Sequence, residues 1–116
     1  MIYLLEDNKI FIRSFKKWIA KKEIECTIHK SKEEYKFIEA DYYLVDLQLE
    51  KSYSFDIIRD IRSNTKAPIA MFTHHTDNDL LKKAIDSGAN YYFCKTDTQL
   101  YSIHLELLWK MKDTTL

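Results

Sequence analysis

The sequence predicts an α/β domain in which five parallel strands form one doubly wound sheet with helices on both faces. Three observations lead there. Near-continuous apolar runs of strand length alternate with amphipathic helical patterns, and this alternation repeats five times along the chain. The polar residues of greatest chemical interest (Glu6-Asp7, Asp46, Thr73 and Lys95) each stand at the carboxyl end of an apolar run. With right-handed crossovers, such a sheet gathers those ends around one crevice.

The elements follow in order. Ile2–Leu5 is the first apolar run, and Phe11, Phe15, Trp18 and Ile19 then recur at helical spacing. Glu25–His29 alternates and reads as a weaker edge strand. Ser31-Lys32-Glu33-Glu34 has the pattern of a capping box, in which Ser and Glu satisfy free N–H groups at a helix start, so a short second helix is expected. Tyr42–Val45 is the third strand, closed by Asp46, and Ile58 and Ile61 mark the third helix. Pro68 stands just before the fourth strand, Ile69–Phe72, where no ladder donor is lost. Leu80, Leu81, Ala84 and Ile85 give the fourth helix, and Gly88 supplies its left-handed C-terminal cap. Tyr91–Cys94 is the fifth strand, and Leu100, Ile103, Leu107 and Met111 form the last helix.

At 116 residues, 46% hydrophobic and 31% charged, the chain has the size of one domain, spanning 1–116, with one core. Lys plus Arg equals Asp plus Glu at 18 each, so no net basic excess draws it to nucleic acid or to an anionic membrane. No apolar stretch approaches the roughly 20 residues of a membrane helix, and MIYLLEDN carries acids where a signal peptide has basic residues. A cytoplasmic protein is expected. Cys26 and Cys94 read as reduced core residues, too far apart to form a disulfide if the strand order is 2-1-3-4-5.

Three carboxylates meeting in one crevice, Glu6, Asp7 and Asp46, repel one another unless something positive joins them. An all-oxygen site completed by waters and a phosphate suits Mg²⁺. Asp7 and Asp46 are the expected direct ligands, with Glu6 acting through water and the backbone carbonyl of Gln48 as a third protein ligand. Asp46 is then a nucleophile that holds a phosphoryl group as an acyl phosphate. Mg²⁺ and the Lys95 ammonium offset the charge of the phosphoryl oxygens, while Thr73 donates a hydrogen bond to one of them. Drawing Thr73 inward opens space that Tyr92 can fill, which changes the surface of the fourth helix, fifth strand and fifth helix.

Plainer readings compete with these. Glu6-Asp7 alone is also what a helix start attracts, Asp46 alone is an ordinary loop acid, and Tyr92 alone is a core aromatic. His74, His75 and Asp77 look like a metal cluster, but adjacent side chains at a strand end diverge, which disfavours zinc. His75 and Gln48 fit the rim of the site. Trp18 packs on the first helix, while Trp109 near the chain end is a candidate contact for a partner.

Taken together, LLEDN, YYLVDLQL, FDIIRDIR, PIAMFT and SGANYYFCK stand in an order that resembles the receiver domain of two-component response regulators over essentially the whole chain. The resemblance implies a flavodoxin-like, CheY-like (βα)5 fold with strand order 2-1-3-4-5. It also implies Mg²⁺-dependent phosphorylation of Asp46 by a sensor histidine kinase or phosphotransfer protein, and signalling to a downstream effector without independent substrate turnover. A homodimer through the fourth and fifth helices is compatible with it. Four positions depart from the family pattern: His74 replaces a small residue, Thr96 replaces the Pro after the Lys, Glu50 replaces a Pro, and Ser54 replaces a Gly. The loop after Asp46 is therefore expected to take its own conformation. Two other readings stay open, a pseudo-receiver that acts unphosphorylated as an interaction module and a small phosphotransfer enzyme or phosphatase.

Overall fold

The computed structural model describes residues 1–50, 52–73 and 77–94. The elements are β1 (Ile2–Leu5), α1 (Lys9–Lys22), β2 (Cys26–His29), β3 (Tyr42–Asp46), β4 (Gln48–Leu49), β5 (Ser52–Tyr53), α2 (Phe55–Asn64), β6 (Ile69–Thr73), α3 (Asn78–Ser87) and β7 (Tyr91–Cys94). The expectations for His74, His75, Lys95, Thr96, Trp109 and the last helix fall outside the described residues.

Five strands pair in parallel in the order β2-β1-β3-β6-β7, which is the predicted 2-1-3-4-5. The central strands β1, β3 and β6 are buried along their full length, whereas the edge strands are half-exposed over most of theirs. Alternate residues serve opposite faces, as the pleat requires. Tyr3, Leu5, Tyr43, Val45, Ile69 and Met71 pack on one side with Ile57, Ile58 and Ile61 of α2 and Ala84 of α3. Ile2, Leu4, Tyr42, Leu44, Ala70 and Phe72 pack on the other with Ile12, Phe15 and Ile19 of α1. Helices thus cover both faces, and Trp18 lies half-buried against Phe15, ring centroids 6.3 Å apart.

Local signals explain the helix ends. Asn8 Oδ1 accepts from the Ile10 and Phe11 N–H groups at 2.9 and 3.0 Å and so starts α1, while Lys21 and Lys22 favour the negative end of its dipole. Gly88 ends α3 at φ 122°, and a Cβ there would come within 2.8 Å of Arg62 Cβ. The Arg62 side chain occupies that space because it donates to the carbonyls of Gly88, Thr65 and Ala67 at 3.0 to 3.1 Å.

The short second helix does not form. Ser31 Oγ accepts from the Glu34 N–H at 3.1 Å and Glu34 Oε2 from the Lys30 N–H at 2.7 Å, so capping bonds exist, but they close only a turn. Beyond it the aromatic side chains are taken by the sheet. Phe37 stacks on Tyr43 at 6.2 Å, Tyr35 meets Tyr3 at 6.3 Å, and the Tyr43 hydroxyl accepts from the Ala40 N–H while donating to the Ile38 carbonyl. Those backbone groups have found partners that a helix would otherwise have provided. The cysteines also differ from expectation in being half-buried rather than core. They form no disulfide and occupy opposite edge strands, four strand spacings or roughly 19 Å apart.

Candidate functional site

Strand register assembles the site. Leu5 pairs with Val45, so Glu6 and Asp46 emerge one step further along neighbouring strands. Asp46 pairs with Phe72, and Thr73 follows as the last residue of β6. One ligand atom from each of Glu6, Asp7 and Asp46 lies within 4.8 Å of the other two. Sequence separation of 39 residues between Asp7 and Asp46 is thereby reduced to a single cluster.

The three carboxyl groups sit in unlike surroundings. Glu6 is wholly buried and its Oε1 accepts from the Asn8 N–H at 3.1 Å. Asp46 is 4% exposed, while Asp7 is open to solvent. Two unit charges at such a separation cost roughly 3 kcal/mol per pair at an effective dielectric of about 20. A hard divalent cation answers that repulsion, and an all-carboxylate donor set with one solvent-facing member fits a cation that keeps several waters.

The loop after Asp46 is built around it. Asp46 Oδ1 accepts from the Gln48 N–H at 3.2 Å, and its backbone carbonyl accepts from Ser54 Oγ at 2.7 Å. Leu47 N–H donates to the Phe72 carbonyl at 2.8 Å, which ties the loop to β6. β4 (Gln48–Leu49) and β5 (Ser52–Tyr53) then pair as an antiparallel hairpin that the sequence did not predict. Its tip includes Glu50 at φ 55°, whose N–H points at Asp7 Oδ2 from 3.4 Å.

Thr73 is buried beside the end of β7, in register with Cys94, and Tyr92 lies opposite Met71, half-buried against the α2 side of the core. Burial pushes the Tyr92 phenol above its usual range. Lys95, immediately after β7, lies outside the described residues. Sequence reasoning placed Glu6, Asp7, Asp46 and Thr73 at the strand ends where they are found, and took Ser54 only as a replaced glycine. Its position directly before α2 was the available signal that its hydroxyl had a task.

A groove of about 540 Å³ opens beside Asp7 along α1, lined by Lys9, Arg13, Lys16, Lys17 and Lys30 over Ile12 and Ala20. Charge that sums to zero over the chain is therefore concentrated locally, with six basic and no acidic residues in α1.

A comparison with curated protein sequences gave no match. Solved structures do match in fold. A response regulator protein from Burkholderia pseudomallei, determined with a phosphorylated aspartic acid, calcium ion and citrate, is 19% identical with TM-score 0.69 over 81% of this chain and 58% of its own. The chain thus spans little more than half the length of that protein. A CheY-like receiver domain protein from Methanospirillum hungatei is 18% identical with TM-score 0.72, covering 97% of this chain and 96% of its own. The non-phosphorylated HemR receiver domain from Leptospira biflexa is 20% identical with TM-score 0.78 over 90% of each chain. A sequence profile described as the response regulator receiver domain matches residues 2–103, and with the sheet order and the clustered acids in place, the chain belongs to that family.

Proposed function

We propose that this receiver domain takes a phosphoryl group onto Asp46 from a sensor histidine kinase or a phosphotransfer protein and passes the signal to an effector by changing shape. The observation that carries the proposal is the convergence of Glu6, Asp7 and Asp46 at the carboxyl ends of two central strands. Asp7 and Asp46 would hold Mg²⁺ directly, Glu6 through water and Gln48 through its carbonyl. When bound, the cation supplies positive charge to the phosphoryl oxygens.

The protein's own residues do the rest. A carboxylate oxygen of Asp46 forms the new bond to phosphorus as the bond to the donor's imidazole nitrogen breaks and its electron pair returns to that nitrogen. The Gln48 N–H, already on Asp46 Oδ1, helps hold the carboxylate in one orientation. The Thr73 hydroxyl and the Lys95 ammonium take the remaining phosphoryl oxygens. Movement of Thr73 along β6 toward the phosphoryl group frees room for half-buried Tyr92. The readout surface includes α3 and β7, where Ile85 is 56% and Tyr91 37% exposed, and it suits an effector or a second copy of the chain. The basic flank of α1 beside Asp7 suits a phosphodonor protein of acidic surface, met in the cytoplasm.

Incubation with acetyl phosphate and Mg²⁺, followed by intact mass measurement, tests this. One phosphoryl adduct is expected, absent in Asp46→Asn and absent when the divalent cation is chelated. No adduct with acetyl phosphate or any kinase would establish the unphosphorylated interaction module instead. Continued release of phosphate from an added substrate would identify an enzyme.

A further inference from the structure

Ser54 occupies the residue before α2, where a serine hydroxyl ordinarily accepts from the N–H groups of the helix's first turn. Here it does not. Ser54 makes no side-chain capping bond, is wholly buried, and turns its hydroxyl back across eight residues to donate to the Asp46 carbonyl at 2.7 Å. Its backbone, at φ −98° and ψ 21°, lies outside the left-handed region, so the position makes no demand for glycine. A side chain that abandons its local role at the edge of a chemical site is a sign that the site uses it.

The backbone of Ser54 extends the same connection. Its N–H donates to the Leu47 carbonyl at 2.8 Å, and its carbonyl accepts from the Ile58 N–H at 3.0 Å. One residue therefore joins the Asp46-Leu47 and Leu47-Gln48 peptides to the first turn of α2. Leu47 N–H is held from the other side by the Phe72 carbonyl of β6. The direction of the Asp46 Cα–Cβ bond follows from the peptide planes beside it, so clamping the carbonyl aims the carboxylate. An attacking atom displaced by ~1 Å loses about 10²-fold in rate.

From this arrangement we infer that Ser54 is a positioning residue for Asp46, fixing the acceptor's backbone and through it the aim of its carboxylate at cation and phosphorus. The inference rests on the reading of Asp46 as phospho-acceptor. Ser54→Ala removes the hydroxyl, and Ser54→Thr retains it. In Ser54→Ala, labelling by acetyl phosphate at saturation should slow by about three- to tenfold, the loss expected for one hydrogen bond, with little change in the KM for the donor. Ser54→Thr should stay within about twofold of the wild type by the same reasoning.

A second readout does not depend on phosphorylation. Mg²⁺ titration followed by the Asp46 carboxyl ¹³C resonance should show weaker binding in Ser54→Ala and restored binding in Ser54→Thr. Equal labelling and equal Mg²⁺ affinity in Ser54→Ala and wild type would overturn the inference. So would losses that track a lowered melting temperature and that Ser54→Thr fails to restore, since those mark a purely structural residue. A wild-type protein that binds Mg²⁺ at Asp46 without being labelled would sink the acceptor reading alone, leaving Ser54 to be judged on the titration. One that neither labels nor binds Mg²⁺ ends both.

Discussion

The segment entering β3 and the segment leaving it both break the simple alternation of strand and helix, and they do so toward different ends. Residues 30–41 lead into the strand without a helix, and residues 47–54 leave it through a hairpin before α2 begins. Each is organised by a hydroxyl acting on the backbone: Tyr43 on Ile38 and Ala40, Ser54 on Asp46. The Tyr43 bonds close over a core of aromatic rings, remote from the acidic cluster. The Ser54 bond ends on Asp46, the proposed phospho-acceptor. One strand is thus anchored at its start against the aromatic core and at its end beside the acidic cluster.

Tyr43→Phe should separate the two roles most clearly. It removes the acceptor of the Ala40 N–H and the donor to the Ile38 carbonyl, in a side chain that is 1% exposed. Leaving those groups without their bonds should cost about 2 kcal/mol, read as a lower urea midpoint at unchanged m-value. Labelling of Asp46 by acetyl phosphate should remain at the wild-type rate. A labelling defect as large as that of Ser54→Ala would abolish the distinction between the two ends of β3.

The same contrast explains how far the sequence could be read. The central strands were legible because burial on both faces leaves an almost unbroken apolar run, as in Tyr42–Val45 and Ile69–Phe72. The placement of Glu6, Asp7, Asp46 and Thr73 at gathered strand ends was legible because each closes such a run, and parallel pairing brings strand ends together. The capping box at Ser31 was read correctly in one of its two bonds, since Ser31 takes the Glu34 N–H while Glu34 takes the Lys30 N–H in place of that of Ser31. What it did not reveal is that Tyr35 and Phe37 are claimed by Tyr3 and Tyr43 across the sheet, which is long-range information. The β4–β5 hairpin escaped for a different reason. Its strands are two residues each, and its turn uses Glu50 at φ 55° rather than the Asn or Gly that announces such turns.

Lys32 joins the two segments, so its replacement tests whether they are independent. Its ammonium donates to the Tyr53 carbonyl at 3.0 Å and pairs with Asp56 at 3.1 Å, with the two side chains 27% and 59% exposed. Solvent screens such a pair, and Lys32→Met should cost less than about 1 kcal/mol, with the difference shrinking in high salt. Labelling of Asp46 should change less than in Ser54→Ala, because Lys32 reaches Tyr53 of the hairpin and not Asp46. A larger effect would mean that the entering segment controls the leaving one.

The smallest effect expected concerns pH and belongs to the entering side. His29 ends β2, and its Nδ1 lies 2.8 Å from the hydroxyl of wholly buried Tyr3. Burial raises the Tyr3 phenol far above its usual range, so it stays neutral beside His29. Burial likewise lowers the His29 pKa; the Glu34 carboxylate opposes that shift and Lys36 adds to it. The folded state therefore binds fewer protons than the unfolded state as pH drops through about 6.5, the unfolded value. His29 contributes its full share of stability above that pH and loses it as pH falls from there toward the lower folded pKa. Wild type should consequently lose more stability than His29→Gln between about pH 7.5 and about pH 5.5, measured by urea unfolding. Parallel pH curves for the two proteins would show that the Tyr3–His29 bond does not anchor the entering segment. A pH-dependent change in Asp46 labelling that disappears in His29→Gln would tie this edge of the sheet to Asp46 after all.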